Sequence, residues 1–224
     1  MSATSRTALV IGGNRGIGLA LCRRLASLGR QVIASCRRSS AALDALGVRV
    51  VPDVDVTTDG GVAGLARRLE GVVLDELVCS AGILREDDLE VLELDDVRAQ
   101  LEVNALGPLR VVEALRRNIR RGGKIALLTS RMGSIADNGS GGYYGYRMSK
   151  AALNAAGMSL ARDLRGAGIS VAILHPGYVR TEMTGGSGTV DPDEAARQLC
   201  DRIDALALET TGTFWHANGQ ILPW

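Results

Sequence analysis

Aromatic side chains are scarce in this sequence. Seven occur among 224 residues, and all of them (Tyr143, Tyr144, Tyr146, Tyr178, Phe214, Trp215 and Trp224) lie at or beyond position 143. Everything before them must pack with aliphatic and small side chains. Rings that wall a pocket must come from the later part of the chain, where each serves equally well as a core or terminus anchor. Lysine is scarcer still: 26 residues are basic, yet only Lys124 and Lys150 are lysines. The four cysteines (Cys22, Cys36, Cys79 and Cys200) show no CxxC or metal-ligand spacing. That excludes a zinc module or disulfide framework, so no metal is expected and the thiols read as buried and reduced, as in a cytoplasmic protein. No apolar run approaches the ~18 residues of a membrane span. A few polar residues lead straight into an apolar strand, which argues against a signal peptide. The net charge is +1 with no run of like charges, so there is no footprint for nucleic acid or a membrane surface. There is no repeat period and no low-complexity segment.

What is present is an ordinary globular composition, 46% hydrophobic and 23% charged, enough for one domain over 1–224. Glycine is abundant, at 28 residues, and its placement matters. Ala8–Ile11 is a short apolar run without alternation, as in a strand buried on both faces. Gly12-Gly13-Asn14-Arg15-Gly16-Ile17-Gly18 follows at once. A helical pattern then begins at Ile17, Leu21, Leu25 and Leu28, ended by Gly29. Strand, glycine turn and helix form the setting of a dinucleotide site, where backbone comes close to a pyrophosphate and free helix-start N–H groups bind it; a purely structural turn is the plainer alternative. The second strand, Gln31–Cys36, ends in Cys36-Arg37-Arg38, with no acidic residue before Asp44 to hold a ribose 2′-hydroxyl. Arg37, with Arg38 and Arg15, suits a 2′-phosphate instead. That favours NADP(H), with NAD(H) still admissible, and the plainer alternative is solvated arginines.

Further strands are expected at Val48–Val51, Leu74–Cys79, Ile125–Leu128, Ile169–Leu174 and Thr213–Trp215. The intervening helices are expected near 62–69, from Val91 past Pro108 to Arg117, from Tyr146 to about Arg165, and over Glu194–Leu208. Residues 131–142 read as a polar loop. Thr181–Pro192, with three glycines and no period, reads as a mobile substrate lid. Alternating strands and helices give an α/β, doubly wound parallel sheet of about seven strands with helices on both faces. Ligands in such sheets sit beyond the carboxyl ends of the strands. The glycine turn, Ser80-Ala81-Gly82, Ser130 and Pro176-Gly177 all fall there.

Tyr146 and Lys150 are four apart, hence stacked on one helix face. A cation within about 4–6 Å favours a phenolate, so the pair suits a tuned general acid/base. Two such residues also meet by chance on solvated helices, but in a chain so poor in lysine the spacing carries more weight.

In order and spacing these segments resemble the classical short-chain dehydrogenases/reductases. The TGxxxGxG turn appears as Ile11 to Gly18, the strand-three Asp-Val as Asp55-Val56, and the NNAG stretch as Cys79-Ser80-Ala81-Gly82. The Asn–Ser–Tyr–Lys tetrad appears as Asn104, Ser130, Tyr146 and Lys150, and the PG turn with its following Thr as Pro176-Gly177 and Thr181. Gly-Asn-Arg-Gly-Ile-Gly (13–18), Ser130 to Ile135, Tyr143 to Arg147 and Leu222-Pro223-Trp224 most resemble the C-factor and sniffer-type carbonyl reductases. The resemblance implies a Rossmann fold and hydride transfer between NADP(H) and a carbonyl or alcohol. Cofactor contacts are implied at Gly12, Asn14, Arg15, Gly16, Ile17, Gly18, Arg37, Asp55, Val56, Ser80, Ala81, Gly82, Tyr146, Lys150, Pro176, Gly177, Val179 and Thr181. Tyr146 would be general acid/base, lowered in pKa by Lys150. Ser130 would bond the substrate oxygen, with Ser134 a second candidate, and Asn104 would anchor a water relay. Ile11 and Cys79-Ser80 depart from the pattern, which implies altered cofactor affinity. Association into homodimers or homotetramers through the Tyr146 helix is also implied. A C-factor-like signalling or interaction protein with little turnover is the alternative.

Overall fold

The computed structural model describes residues 5–224. Seven strands form one sheet: β1 (Thr7–Ile11), β2 (Gln31–Ser35), β3 (Arg49–Val51), β4 (Leu74–Cys79), β5 (Ile119–Leu128), β6 (Ser170–His175) and β7 (Phe214–His216). Their order is β3-β2-β1-β4-β5-β6-β7 and every pairing is parallel. The helices are α1 (Gly16–Ser27), α2 (Ala41–Asp44), α3 (Asp59–Arg68), α4 (Leu94–Leu101), α5 (Gly107–Leu115), α6 (Tyr144–Asp163) and α7 (Pro192–Ala205). This is the doubly wound Rossmann arrangement that the strand–helix alternation requires. The chain leaves β1 in one direction and returns to β4 on its other side, so the carboxyl ends of β1 and β4 frame the switch-point crevice.

Strand residues alternate between two cores. Leu9, Ile11, Ile33, Leu77, Ile125 and Leu127 face one way and meet Leu65, Val111, Leu115 and Leu153 from α3, α5 and α6. Ala8, Val10, Ala34, Ala126 and Ala172 face the other way and meet Leu21, Leu25, Leu199 and Ile203 from α1 and α7. Smaller side chains on the second face fill the space beneath that helix pair, with partly buried Trp215 packed against them. Phe214 is buried in a third cluster, beside Ile173 and Leu222. All four cysteines are free and buried.

The sequence reading does not include α2, and α7 runs Pro192–Ala205 rather than Glu194–Leu208; β5 and the helix around Asn104 also differ. β5 starts at Ile119, six residues earlier than Ile125, because Leu74 pairs with Ile119 before the register shifts and Glu76 pairs with Lys124. Residues 120–123 bulge out around Gly122, which has φ 81°. The helix around Asn104 starts at Leu94 rather than Val91. It then widens into one π turn, Glu102–Leu106, before α5. Pro108 explains the widening: it lacks an N–H for the Asn104 carbonyl four residues back, and its ring would crowd that carbonyl.

Candidate active site

The glycine turn closes on β4 by contacts that only glycine permits. Gly12 has φ 84°, and a Cβ there would stand 2.8 Å from the Ala81 Cα. A Cβ on Gly18 would run into the Gly12 carbonyl. α1 begins at Gly16 and Ile17 with Arg15 as its extended N-cap residue; no side chain caps it and its first turn holds no acid. Its orphan N–H groups and positive dipole end therefore face the crevice without a built-in anion, which fits a pyrophosphate. Asn14 accepts the Ser40 hydroxyl at 2.7 Å through its carbonyl, fixing the turn to the start of α2. Arg37 and Arg38 are exposed at the end of β2, and neither joins an ion pair among the described residues. Arg15 is placed differently: its guanidinium pairs with Glu182 across the crevice. Asp55 turns Oδ1 toward the Thr57 N–H (2.9 Å) and hydroxyl (2.7 Å), which hold its carboxyl below the usual range. Val56 is buried where Gly107 leaves it room.

On the other side of the crevice, the buried face of α6 carries Tyr146, Ser149, Lys150 and Asn154 beside Gly145, Leu153, Gly157 and Ala161. Four of these eight are polar, more than an ordinary core helix buries. The Tyr146 hydroxyl is beside Ser130, which follows β5 and whose own hydroxyl accepts the Met132 N–H at 3.2 Å. Burial pushes that phenol up to about 12, with neighbouring Ser130 acting in the lowering direction. The expected lowering by Lys150 is thus not what this geometry gives. The Lys150 ammonium lies 5.6 Å from the Tyr146 ring centroid and donates to the Leu128 carbonyl at 2.9 Å. Burial pulls its pKa down to about 8. Ser134, the second serine candidate, turns away: its hydroxyl accepts the Asp137 N–H at 3.1 Å.

Asn104 is fully buried in the π turn. Its Nδ2 donates to the Ile83 carbonyl (2.8 Å) and the Ser149 hydroxyl (2.9 Å), and its Oδ1 accepts the Ile83 N–H (2.8 Å). Both amide protons thus have protein partners, and the side chain joins the loop after Gly82 to α6 directly. Ser149 completes that link by donating to the Tyr146 carbonyl at 2.8 Å. The serine was invisible as a functional residue in the sequence; its place between Tyr146 and Lys150 was the only signal.

Residues 178–190 fold over the crevice. Val179 is buried and bridges Val190, and Arg180 N–H donates to the Val190 carbonyl at 2.8 Å. Thr181 reaches Gly16, and Met183 Cε would stand 4.0 Å from a Cβ on Gly82. Between them Glu182 holds Arg15. The expected lid therefore contains an ordered turn, Glu182–Thr184, and is tied at its neck. Below it, Pro176 is buried, Gly177 has φ 93°, and His175 meets His216 edge to face at 5.0 Å. Burial drives His175 down to about 3, so it is neutral at physiological pH. Among the described residues there is no cluster that could hold a metal and no helix long and apolar enough to cross a membrane.

Residues 6–190 match the family model described as short chain dehydrogenase. Over 97% of this chain and 99% of the relative, the sequence is 44% identical to 1-hydroxy-2-glutathionyl-2-methyl-3-butene dehydrogenase of Rhodococcus sp. (strain AD45). The fold superposes on the carbonyl reductase Sniffer of D. melanogaster with a TM-score of 0.92, at 29% identity over 98% of this chain and 100% of that one. It superposes on a short-chain dehydrogenase/reductase from Burkholderia multivorans with bound NADP at 0.90, with 32% identity over 98% and 100%. Sequence, fold and the cluster around Tyr146 agree: this chain belongs to the short-chain dehydrogenase family and is an oxidoreductase.

Proposed function

We propose that this chain is an NADP(H)-dependent oxidoreductase acting on a small-molecule carbonyl or alcohol, with Tyr146 as proton donor and acceptor. The observation that carries this reading is the buried cluster of Tyr146 and Lys150 on one face of α6 with buried Ser130 beside Tyr146, at the same strand ends as the uncapped start of α1. When bound, the nicotinamide supplies or accepts the hydride. The α1 N–H groups and Gly12, Gly16 and Gly18 hold the pyrophosphate. Arg37 and Arg38 stand where a 2′-phosphate would lie, and the NADP bound by the Burkholderia protein supports that choice. Ser80, Ala81, Gly82, Pro176, Gly177, Val179 and Thr181 line the rest of the path.

At neutral pH Tyr146 is protonated, so it is ready to give its proton to a carbonyl oxygen. Ser130 orients that oxygen and stabilises its developing charge. Lys150, the nearest cation, steadies the phenolate left behind once its ammonium turns from the Leu128 carbonyl. Asn104 holds Ile83 and Ser149, which fixes the spacing between the crevice loop and α6. Residues 181–192 act as the substrate lid, with Met183 inward. Tyr144 and Met148, exposed on α6, offer the surface for self-association into dimers or tetramers. A signalling protein without turnover has no need of Asn104, Ser130, Tyr146 and Lys150 together in one buried cluster.

The test is NADPH consumption with aldehydes, ketones and quinones, and NADP⁺ reduction with glutathione-bearing alcohols of the kind the Rhodococcus enzyme is named for. Turnover is expected with NADP(H), weaker with NAD(H), and about 10³-fold lower in Tyr146→Phe with cofactor binding kept. Cofactor binding with no turnover on any substrate would sink the reading.

A further inference from the structure

α6 begins without a cap of its own. Its N-cap residue, Tyr143, is held in the left-handed region (φ 53°, ψ 42°), makes no side-chain cap, and is followed by a first turn with no acid. The missing group comes from 57 residues away. Asp87, only 7% exposed, lies in the irregular segment between β4 and α4. Its carbonyl accepts the Tyr143 N–H at 2.7 Å, its Oδ1 accepts the Tyr144 N–H, and its Oδ2 accepts the Gly145 N–H at 3.0 Å. Three consecutive backbone donors converge on one residue. Two of the bonds are charge-assisted, and the carboxylate sits against the positive end of a 20-residue helix.

The segment bearing Asp87 is itself fixed. It leaves the crevice at Ser80-Ala81-Gly82, is held at Ile83 by both ends of the Asn104 amide, and at Arg85 by Gln100, whose Oε1 accepts the Arg85 N–H at 2.9 Å. Gln100 is fully buried. Gly145 lets these parts meet: a Cβ there would collide with the Gln100 amide and stand 3.1 Å from Asp87 Oδ2. One short path therefore runs from the cofactor side of the crevice, through Asp87, to the first turn of α6. Tyr146 is the next residue.

We propose that Asp87 is a positioning residue for Tyr146: it sets where α6 starts, and hence where the Tyr146 hydroxyl stands relative to Ser130 and the crevice. The inference rests on the acid/base role proposed above for Tyr146. An ordinary helix cap would stabilise the fold and do nothing more. The positioning role predicts a loss in the chemical step that exceeds any loss in cofactor binding, because a displacement of about 1 Å at a reacting group costs on the order of 10²-fold in rate.

The experiment uses the full chain with Asp87→Ala and Asp87→Asn, which keeps shape and one acceptor oxygen. Two readouts are taken together. The first is the NMR signal of Tyr146 in protein labelled with [¹³Cζ]tyrosine, assigned by its absence in Tyr146→Phe. The second is kcat against KM and NADPH affinity. In Asp87→Ala the Tyr146 signal should move and kcat fall about 100-fold, with NADPH affinity within about threefold. Asp87→Asn should return both readouts most of the way. An unmoved Tyr146 signal in Asp87→Ala, or an equal loss of kcat, NADPH affinity and thermal stability that Asp87→Asn does not rescue, would overturn the inference. If the wild type turns over no substrate, the proposed function fails, and the NMR signal still decides the placement of Tyr146.

Discussion

The chain's two lysines sit at opposite ends of the sheet, and their surroundings differ in kind. Lys124, near the start of the regular part of β5, donates to the Ile203 and Asp204 carbonyls at 2.7 and 2.8 Å, at the C-terminal end of α7. A cation there meets the negative end of the helix dipole. Carboxylates stand nearby too: Glu76, buried on the neighbouring strand, and Asp204, both shared with Arg30, whose Nη2 is 3.1 Å from Glu76 Oε1. Lys150, by contrast, is buried and, among the described residues, meets one carbonyl and no carboxylate. Its charge is pulled down by burial with nothing opposing it. Burial lowers the pKa of the first lysine as well, but there two carbonyls and the carboxylates of Glu76 and Asp204 act against it. The second is held at a cost to the fold, and such a cost persists where a site needs the charge.

The comparison can be broken at either end. The largest stability loss should come from the compensated end. Glu76→Ala removes the buried carboxylate that faces Arg30, and unfolding in urea should show a loss of about 3 kcal/mol. A variant as stable as wild type would mean that Asp204 alone satisfies Arg30. Next, Lys150→Met should raise stability at pH 7, by about 1–3 kcal/mol, because it removes a buried charge. Lys150 has a folded pKa of about 8 against an ordinary 10.5, so between these values the unfolded chain binds more protons. The wild type therefore gains on Lys150→Met as pH rises through 8 toward 10.5, and the gap closes. A gap independent of pH would show that the ammonium is not desolvated. Lys124→Met should lower stability by about 1–2 kcal/mol by leaving two carbonyls unmet. The smallest effect is on the cofactor: Arg37→Ala should reduce the preference for NADPH over NADH about 5- to 10-fold by removing one charge partner of the 2′-phosphate. No change in that ratio would move the phosphate contact to Arg38 or Arg15.

Much of this was legible in the sequence because it rests on local rules. The glycine turn could be placed since strand, glycines and helix follow within a few residues, and Gly12 and Gly18 show the close approaches that glycine alone allows. Tyr146 and Lys150 share a helical face by spacing, and the structure keeps them on one buried face. What could not be read depends on contacts between distant segments. Nothing in the sequence ties Asp87 to Gly145, or Arg15 to Glu182. The π turn at Asn104 was hidden because a proline four residues on can kink, end or widen a helix, and packing chooses among these. The direction of the Tyr146 shift has a related origin. Spacing gives proximity to a cation, whereas burial of the phenol, which raises its pKa, is set by the whole fold.

The most direct test of the account is the catalytic rate of wild type, Lys124→Met and Lys150→Met, side by side on one carbonyl substrate with saturating NADPH. Lys124→Met should stay within about threefold of wild type and Lys150→Met should fall by on the order of 10²–10³-fold, although the second is the more stable protein. Equal activity in the two variants, whether kept or lost, would contradict the claim that the lysine held without a counter-charge is the one the chemistry uses.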